Sequence, residues 1–109
     1  MIRIRIGGAP DKLEGFIIWG HARTAPYGED IVCAGVSAVA TTALIGMAKL
    51  IPGGVRYGIS AQGLLYCKLA GTLPEGASRD AQTILTVMLL GLRAIRRNHR
   101  QAVHIAYRR

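Results

Sequence analysis

The sequence predicts an α+β fold, a two-layer sandwich in which a mostly antiparallel sheet carries two helices on one face. Several short segments alternate apolar and polar residues with a period of two, the pattern of strands with one buried and one wet face. Two longer segments, one free of charge and one with helical periodicity, divide them into the order ββαββαβ. The alternation also argues against helices on both faces, because strands buried on both sides read as continuous apolar runs.

The opening segment, Met1 to Ile6, places Ile2, Ile4 and Ile6 on one side and Arg3 and Arg5 on the other. Gly7 to Asp11 is turn chemistry, and Leu13 to His21 reads as a second strand, so the two predict a hairpin. A helix is expected from about Glu29 to Leu50, stopped by Pro52-Gly53-Gly54. In VRYGIS, Val55, Tyr57 and Ile59 share a face; in LLYCKLA, Leu65, Cys67 and Leu69 share one, with Tyr66 and Lys68 opposite. The short AQG between them suits another hairpin. Ser78 is the expected N-cap of the second helix, with Asp80 in its first turn. Ile84, Val87, Met88, Gly91 and Ile95 line one side of that helix, and Arg93, Arg96, Arg97 and His99 cluster near its C-terminus, where cations suit the dipole. A last strand follows in AVHIAYRR. The wet sheet face should carry Arg3, Arg5, Lys68 and Arg108; strand order does not follow from the pattern.

At 109 residues the chain is expected to form one domain, and its hydrophobic half argues against disorder. The start, MIRIRI, does not resemble a signal peptide. Two cysteines are too few for a disulfide scaffold, which points to the cytosol. A net charge of +8 favours an anionic neighbour, most commonly nucleic acid. The uncharged stretch from Ile31 to Ala48 has the length of a short membrane span, but Cys33, Ser37, Thr41, Thr42 and its small residues make it weakly lipophilic, so a buried helix and no membrane contact are expected.

Chemistry concentrates in GHARTAPYGEDIVCAG, residues 20–35. Cys33 falls just inside a helix start, where the partial positive charge favours thiolate and the first-turn amides can receive an oxyanion. His21, at the end of the preceding strand, can take the thiol proton and later protonate a leaving amine. Two roles are open to Asp30: a helix cap, the default on physical grounds, or the carboxylate that orients His21. Glu29 is equally close in sequence. Ser37 lies one turn after Cys33 and can bond near the sulfur or back to the Cys33 carbonyl. The plainer alternative makes Cys33 a small hydrophobe among Val32, Ala34 and Val36. Cys67, on the apolar face of its strand, reads as core. His21, Cys33, Cys67, His99 and His104 include zinc-ligand types, but none are spaced as in structural zinc motifs, and no metal or cofactor is expected. Trp19 reads as core, whereas Tyr27 sits in the loop.

At these residues the chain resembles the ribosomal-processing cysteine proteases of bacteria, the Prp family. The likeness rests on IRIRI, GFIIWGHA and GEDIVCAGVSA and on the element order that follows. It implies a homodimer with a helix-over-sheet fold and a loop joining histidine to cysteine, cutting a short N-terminal extension from a large-subunit ribosomal protein after an aromatic residue. It also implies His21 as general base and Cys33 as nucleophile, with Asp30 and Ser37 at further family positions and Gly20 turning the backbone beside the histidine. Family loops are often glycine-rich straight after GHA; here RTAPYG brings Arg23, Pro26, Tyr27 and Gly28, and proline restricts the backbone. This stretch is the expected substrate loop. The expected partners are thus a ribosomal protein's N-terminal peptide, a second copy of the chain and, from the charge, ribosomal RNA. The alternative function is a non-catalytic ribosome- or RNA-associated module using Arg93, Arg96, Arg97, Arg100, Arg108 and Arg109.

Overall fold

The computed structural model describes residues 1–20, 30–60 and 63–108. In chain order the elements are β1 (Ile2–Ala9), β2 (Lys12–Gly20), α1 (Ile31–Leu50), β3 (Val55–Ile59), β4 (Leu65–Leu69), α2 (Glu75–Asn98) and β5 (Val103–Arg108). The expected ββαββαβ order is therefore found. The five strands form one sheet in the order β3-β4-β2-β1-β5. Three of the four pairings are antiparallel; β5 lies parallel to β1, with Ile2 opposite Val103 and Ile6 opposite Tyr107.

The first hairpin is longer than the sequence indicates. β1 takes in Gly7 to Ala9, which leaves the turn to Pro10 and Asp11. Gly7 pairs with Gly15 but Gly8 pairs with Leu13, so Glu14 is an extra residue in β2. Such a bulge shifts the alternation, and it explains how Leu13 and Phe16, three positions apart, are both buried. Gln82 of α2 closes the irregularity: its Oε1 accepts from the Leu13 N–H at 2.9 Å and its Nε2 donates to the Leu13 carbonyl at 2.6 Å.

One sheet face carries Ile2, Ile4, Ile6, Phe16, Ile18, Cys67 and Val103 into the core. Above them lie Val32, Val36, Ala40, Ala43, Leu44 and Met47 of α1, and Ala81, Leu85, Met88, Leu89 and Leu92 of α2. Val87 departs from the expected helix face. The stripe that starts at Ala81 leaves it on the outer side, 63 % exposed. Gly91 and Ile95 serve helix pairing instead: a Cβ on Gly91 would meet Val39 Cγ1 at 3.3 Å, and one on Gly35 would meet Ile95 Cδ1 at 3.6 Å.

α2 also begins a turn earlier than expected. Its N-cap is Pro74, and the Ser78 N–H already bonds the Pro74 carbonyl at 2.8 Å, so Ser78 is not the cap and Asp80 is not in the first turn. Glu75 supplies the first-turn acid, while Arg96 and Arg97 occupy the last turn as the dipole favours. The wet sheet face carries Arg3, Arg5, Lys68 and Arg108, as the alternation indicates.

Candidate active site

β2 ends at Gly20 and α1 begins at Ile31, and the candidate chemistry lies on these two ends. Gly20 has φ +91°, and a Cβ there would sit 2.3 Å from the Met1 carbonyl oxygen. Any side chain at this point would collide with the start of β1, so β2 leaves the sheet through a position open to glycine alone. His21, Arg23, Pro26, Tyr27, Gly28 and Glu29 lie outside the described residues.

At the other end Asp30 is the N-cap of α1. Its backbone is extended and its Oδ1 accepts the Cys33 N–H at 3.0 Å. Capping places Cys33 at the third helical position, in the first turn, where its half-buried side chain lies in the partial positive field of the helix start. The Ala34 N–H bonds the Asp30 carbonyl at 3.1 Å and opens the intrahelical series. The Cys33 amide is thus engaged by the cap, which leaves the amides of Ile31 and Val32 as the first-turn donors without an intrahelical acceptor. Ser37 is one turn further on and exposed. The cap is one of the two roles open to Asp30; the other, orienting His21, lies outside the described residues.

Removing the cap has an expected result. Asp30→Ala should cost about 1 kcal/mol, a fall in Tm of roughly 4–8 °C for a domain near this size. Asp30→Asn can cap as well and should restore most of the loss. A thermal melt in which Asn is as damaging as Ala would sink the capping role. A peptidase assay on the Asn variant then reads any separate need for the carboxylate charge.

The second thiol behaves differently. Cys67 lies in the middle of β4, opposite Phe16 and Tyr57, and burial pushes it up from 9.0 to about 12. It is therefore a neutral thiol at physiological pH, and its folded value lies above its unfolded one. The unfolded chain loses this proton first as pH rises, so stability conferred by the protonated core thiol is intact below pH 9 and is lost between about 9 and 12. Denaturant midpoints across that window should fall with pH in the native chain and fall less in Cys67→Val. Equal slopes would contradict the burial effect.

The described residues place a thiol in the first turn of α1, on a sheet backed by two helices. A profile of the cysteine protease Prp family matches residues 1–104. The chain is 30% identical to the ribosomal processing cysteine protease Prp of Bacillus subtilis, over 96% of both chains. Its fold matches that of an essential ribosomal processing protease Prp from S. aureus, solved with a covalently linked product peptide: the TM-score is 0.86 at 28% identity, covering 99% of this chain and 100% of the other. The same S. aureus protease with a substrate peptide matches with a TM-score of 0.80 at 27% identity and the same coverage. The fold and the family are those of a cysteine protease. The chain belongs to the Prp family of ribosomal processing proteases. This sets aside the non-catalytic module as its function.

Proposed function

We propose that the protein is an endopeptidase that removes a short N-terminal extension from a large-subunit ribosomal protein in the cytosol, with Cys33 as nucleophile and His21 as general base. One observation carries the choice of thiol. The chain has two cysteines, and Cys67 is sealed in the core at 3 % exposure, where burial pushes its thiol up and keeps it protonated, whereas Cys33 is half-buried at a helix start. A protease that attacks through thiolate therefore uses Cys33, which the Asp30 cap fixes at the helix start.

In this reading the Cys33 Sγ attacks the scissile carbonyl carbon while His21 takes the thiol proton. Negative charge on the carbonyl oxygen is received by the Ile31 and Val32 amides. Collapse breaks the C–N bond, His21 returns the proton to the departing amine, and a thioester remains on Cys33. Water, deprotonated by His21, then releases the carboxylic acid and restores the thiol. The substrate lies extended beneath residues 22–32, with Gly20 permitting the turn and Arg23, Pro26, Tyr27 and Gly28 selecting the peptide. Ser37 supports the thiol from one turn away. The peptide complexes of the S. aureus relative are consistent with this course.

The test is a synthetic peptide spanning the host protein's N-terminal extension, followed by mass spectrometry. Cleavage after an aromatic residue is expected. An enzyme with an alkylatable Cys33 that leaves this peptide whole would refute the substrate. Cys33 should take one iodoacetamide at neutral pH with Cys67 unmodified; preferential labelling of Cys67 would reverse the assignment.

The proposal includes a homodimer. Only one stripe of α1 is buried although the helix is apolar almost throughout, and Ile31, Ile45 and Leu50 face outward. Ile45 borders a groove of about 620 Å³ with Tyr57 and Ile59 of β3, at 65 %, 53 % and 72 % exposure. A continuous apolar surface of this kind suits a second protein surface. Light scattering at twice the chain mass is expected, and a monomer would count against it. Contact with ribosomal RNA is part of the same reading, in keeping with the net charge of +8.

A further inference from the structure

Both helices pack on one face of the sheet, nothing among the described residues covers the other, and strand pairing fixes what that face presents. Across the sheet from β3 to β5, one row reads Arg56, Lys68, Gly15, Gly7 and Arg108. The next reads Gly58, Tyr66, Ile17, Arg5 and Ala106, and a third ends in Trp19, Arg3 and His104. Among the described residues, five cations thus stand on one face with two aromatic side chains. Between them is a hollow of about 320 Å³, floored by Gly7 and Gly15 and rimmed by Arg5, Tyr66, Lys68 and Arg108, with Glu14 the single carboxylate among the described residues of its lining.

We infer that this helix-free face binds single-stranded RNA, deepening the RNA contact proposed above from net charge to a defined surface. The cations supply phosphate contacts, and their excess over carboxylates selects a polyanion. The aromatics choose the kind of polyanion. The Arg5 guanidinium lies over the Trp19 ring at 5.3 Å from its centroid, and the pair makes one stacking platform. Tyr66 makes the second; its ring spreads over Gly58, where a Cβ would come within 2.9 Å of it. Tyr66 opposes Ile17, so Trp19 is its diagonal neighbour, about 7–8 Å away in a sheet. Unpaired bases can splay onto two such platforms, whereas bases stacked inside a duplex cannot. An acidic peptide would use the cations and leave the platforms idle.

The test is fluorescence anisotropy of a labelled uridine dodecamer titrated with the intact chain across a salt series. Quenching of Trp19, the single tryptophan, gives a direct second signal. The exposed pair Lys68→Gln/Arg108→Gln should weaken binding at least tenfold and lower the salt slope by about 1.4, at about 0.7 per lost contact. Tyr66→Leu removes stacking without charge, and should weaken binding about fivefold or more with the slope unchanged. Arg96→Gln/Arg97→Gln on α2 makes the same charge change off the face and should alter affinity less than twofold. Thermal melts check that each variant is folded. Equal loss in the α2 pair would overturn the surface; duplex RNA or polyglutamate binding as tightly as the dodecamer would overturn the ligand. Binding is read without cleavage, so failure here leaves the peptidase reading intact, and the converse holds.

Discussion

Cys33→Ala should abolish cleavage of the extension peptide, lowering the rate by at least about 10⁴-fold, the scale seen when a covalent nucleophile is removed. The proposed thioester has no second route. Cys67 points into the core as a neutral thiol and forms part of the sheet pairing with Phe16. The same substitution should leave the fold almost untouched. Alanine is the best helix former, the Cys33 side chain is only half-buried, and the Asp30 cap bonds the backbone amide, which alanine retains. A Tm within about 5 °C of the native chain is expected, together with complete loss of iodoacetamide uptake at neutral pH. His21→Ala, which removes the proposed base and leaves the sulfur, should lose activity comparably while keeping an alkylatable thiol. Full cleavage by Cys33→Ala would end the nucleophile assignment. Lost cleavage accompanied by a collapsed Tm would leave stability as the cause, and a Cys33→Ser chain, closer in size, would then separate the two.

Much of this arrangement was legible in the chain because its signals are local. Ile2, Ile4 and Ile6 alternate with Arg3 and Arg5, and that period alone defines a strand and its wet face. Pro52 and the glycines after it end α1 where expected. What escaped depends on non-local or subtler contacts. The bulge at Glu14 lies in the pairing of β2 with β1, and no window of β2 alone reveals it. Ser78 looked like a cap by residue type, but Pro74 already starts the helix with a fixed φ and leaves Ser78 inside it. Val87 looked like core because it is apolar; burial followed the stripe from Ala81 instead. At the site, residue types suggested a thiol and a helix start, and the cap geometry added which oxygen meets which amide. The parallel β1–β5 pair, which sets the edge of the cationic face, is likewise a matter of where α2 returns the chain, far from either strand in sequence.

Gly15→Ala should be among the most damaging small substitutions in the protein, and Gly7→Ala, its cross-strand neighbour, among the mildest. The two glycines face each other between β1 and β2, and both border the same hollow. Their surroundings differ: Gly15 has φ +154° and lies against β4, whereas Gly7 does not have a positive φ and lies against β5. A Cβ on Gly15 would sit 2.1 Å from the Cys67 carbonyl oxygen and 3.0 Å from both the Cys67 carbonyl carbon and Lys68 Cα. All three are backbone atoms of the adjacent strand, so no rotamer change relieves the clash; β2 and β4 must part. A Cβ on Gly7 would meet nothing closer than 3.7 Å, which is ordinary contact. Separating β2 from β4 would disturb the Phe16–Cys67 pair at the centre of the core, and the cost should exceed about 3 kcal/mol, the upper range for forced overpacking. Against a total of about 5–15 kcal/mol for a typical domain, that is a large share. Gly7→Ala should stay within about 1 kcal/mol. Urea denaturation of both variants decides the matter: equal midpoints would mean that the sheet accommodates a methyl group at Gly15, and the close approach of β2 to β4 would then not be what keeps glycine there. Because β2 also ends at Gly20 beside His21, Gly15→Ala should lower peptidase activity at temperatures where Gly7→Ala remains fully active.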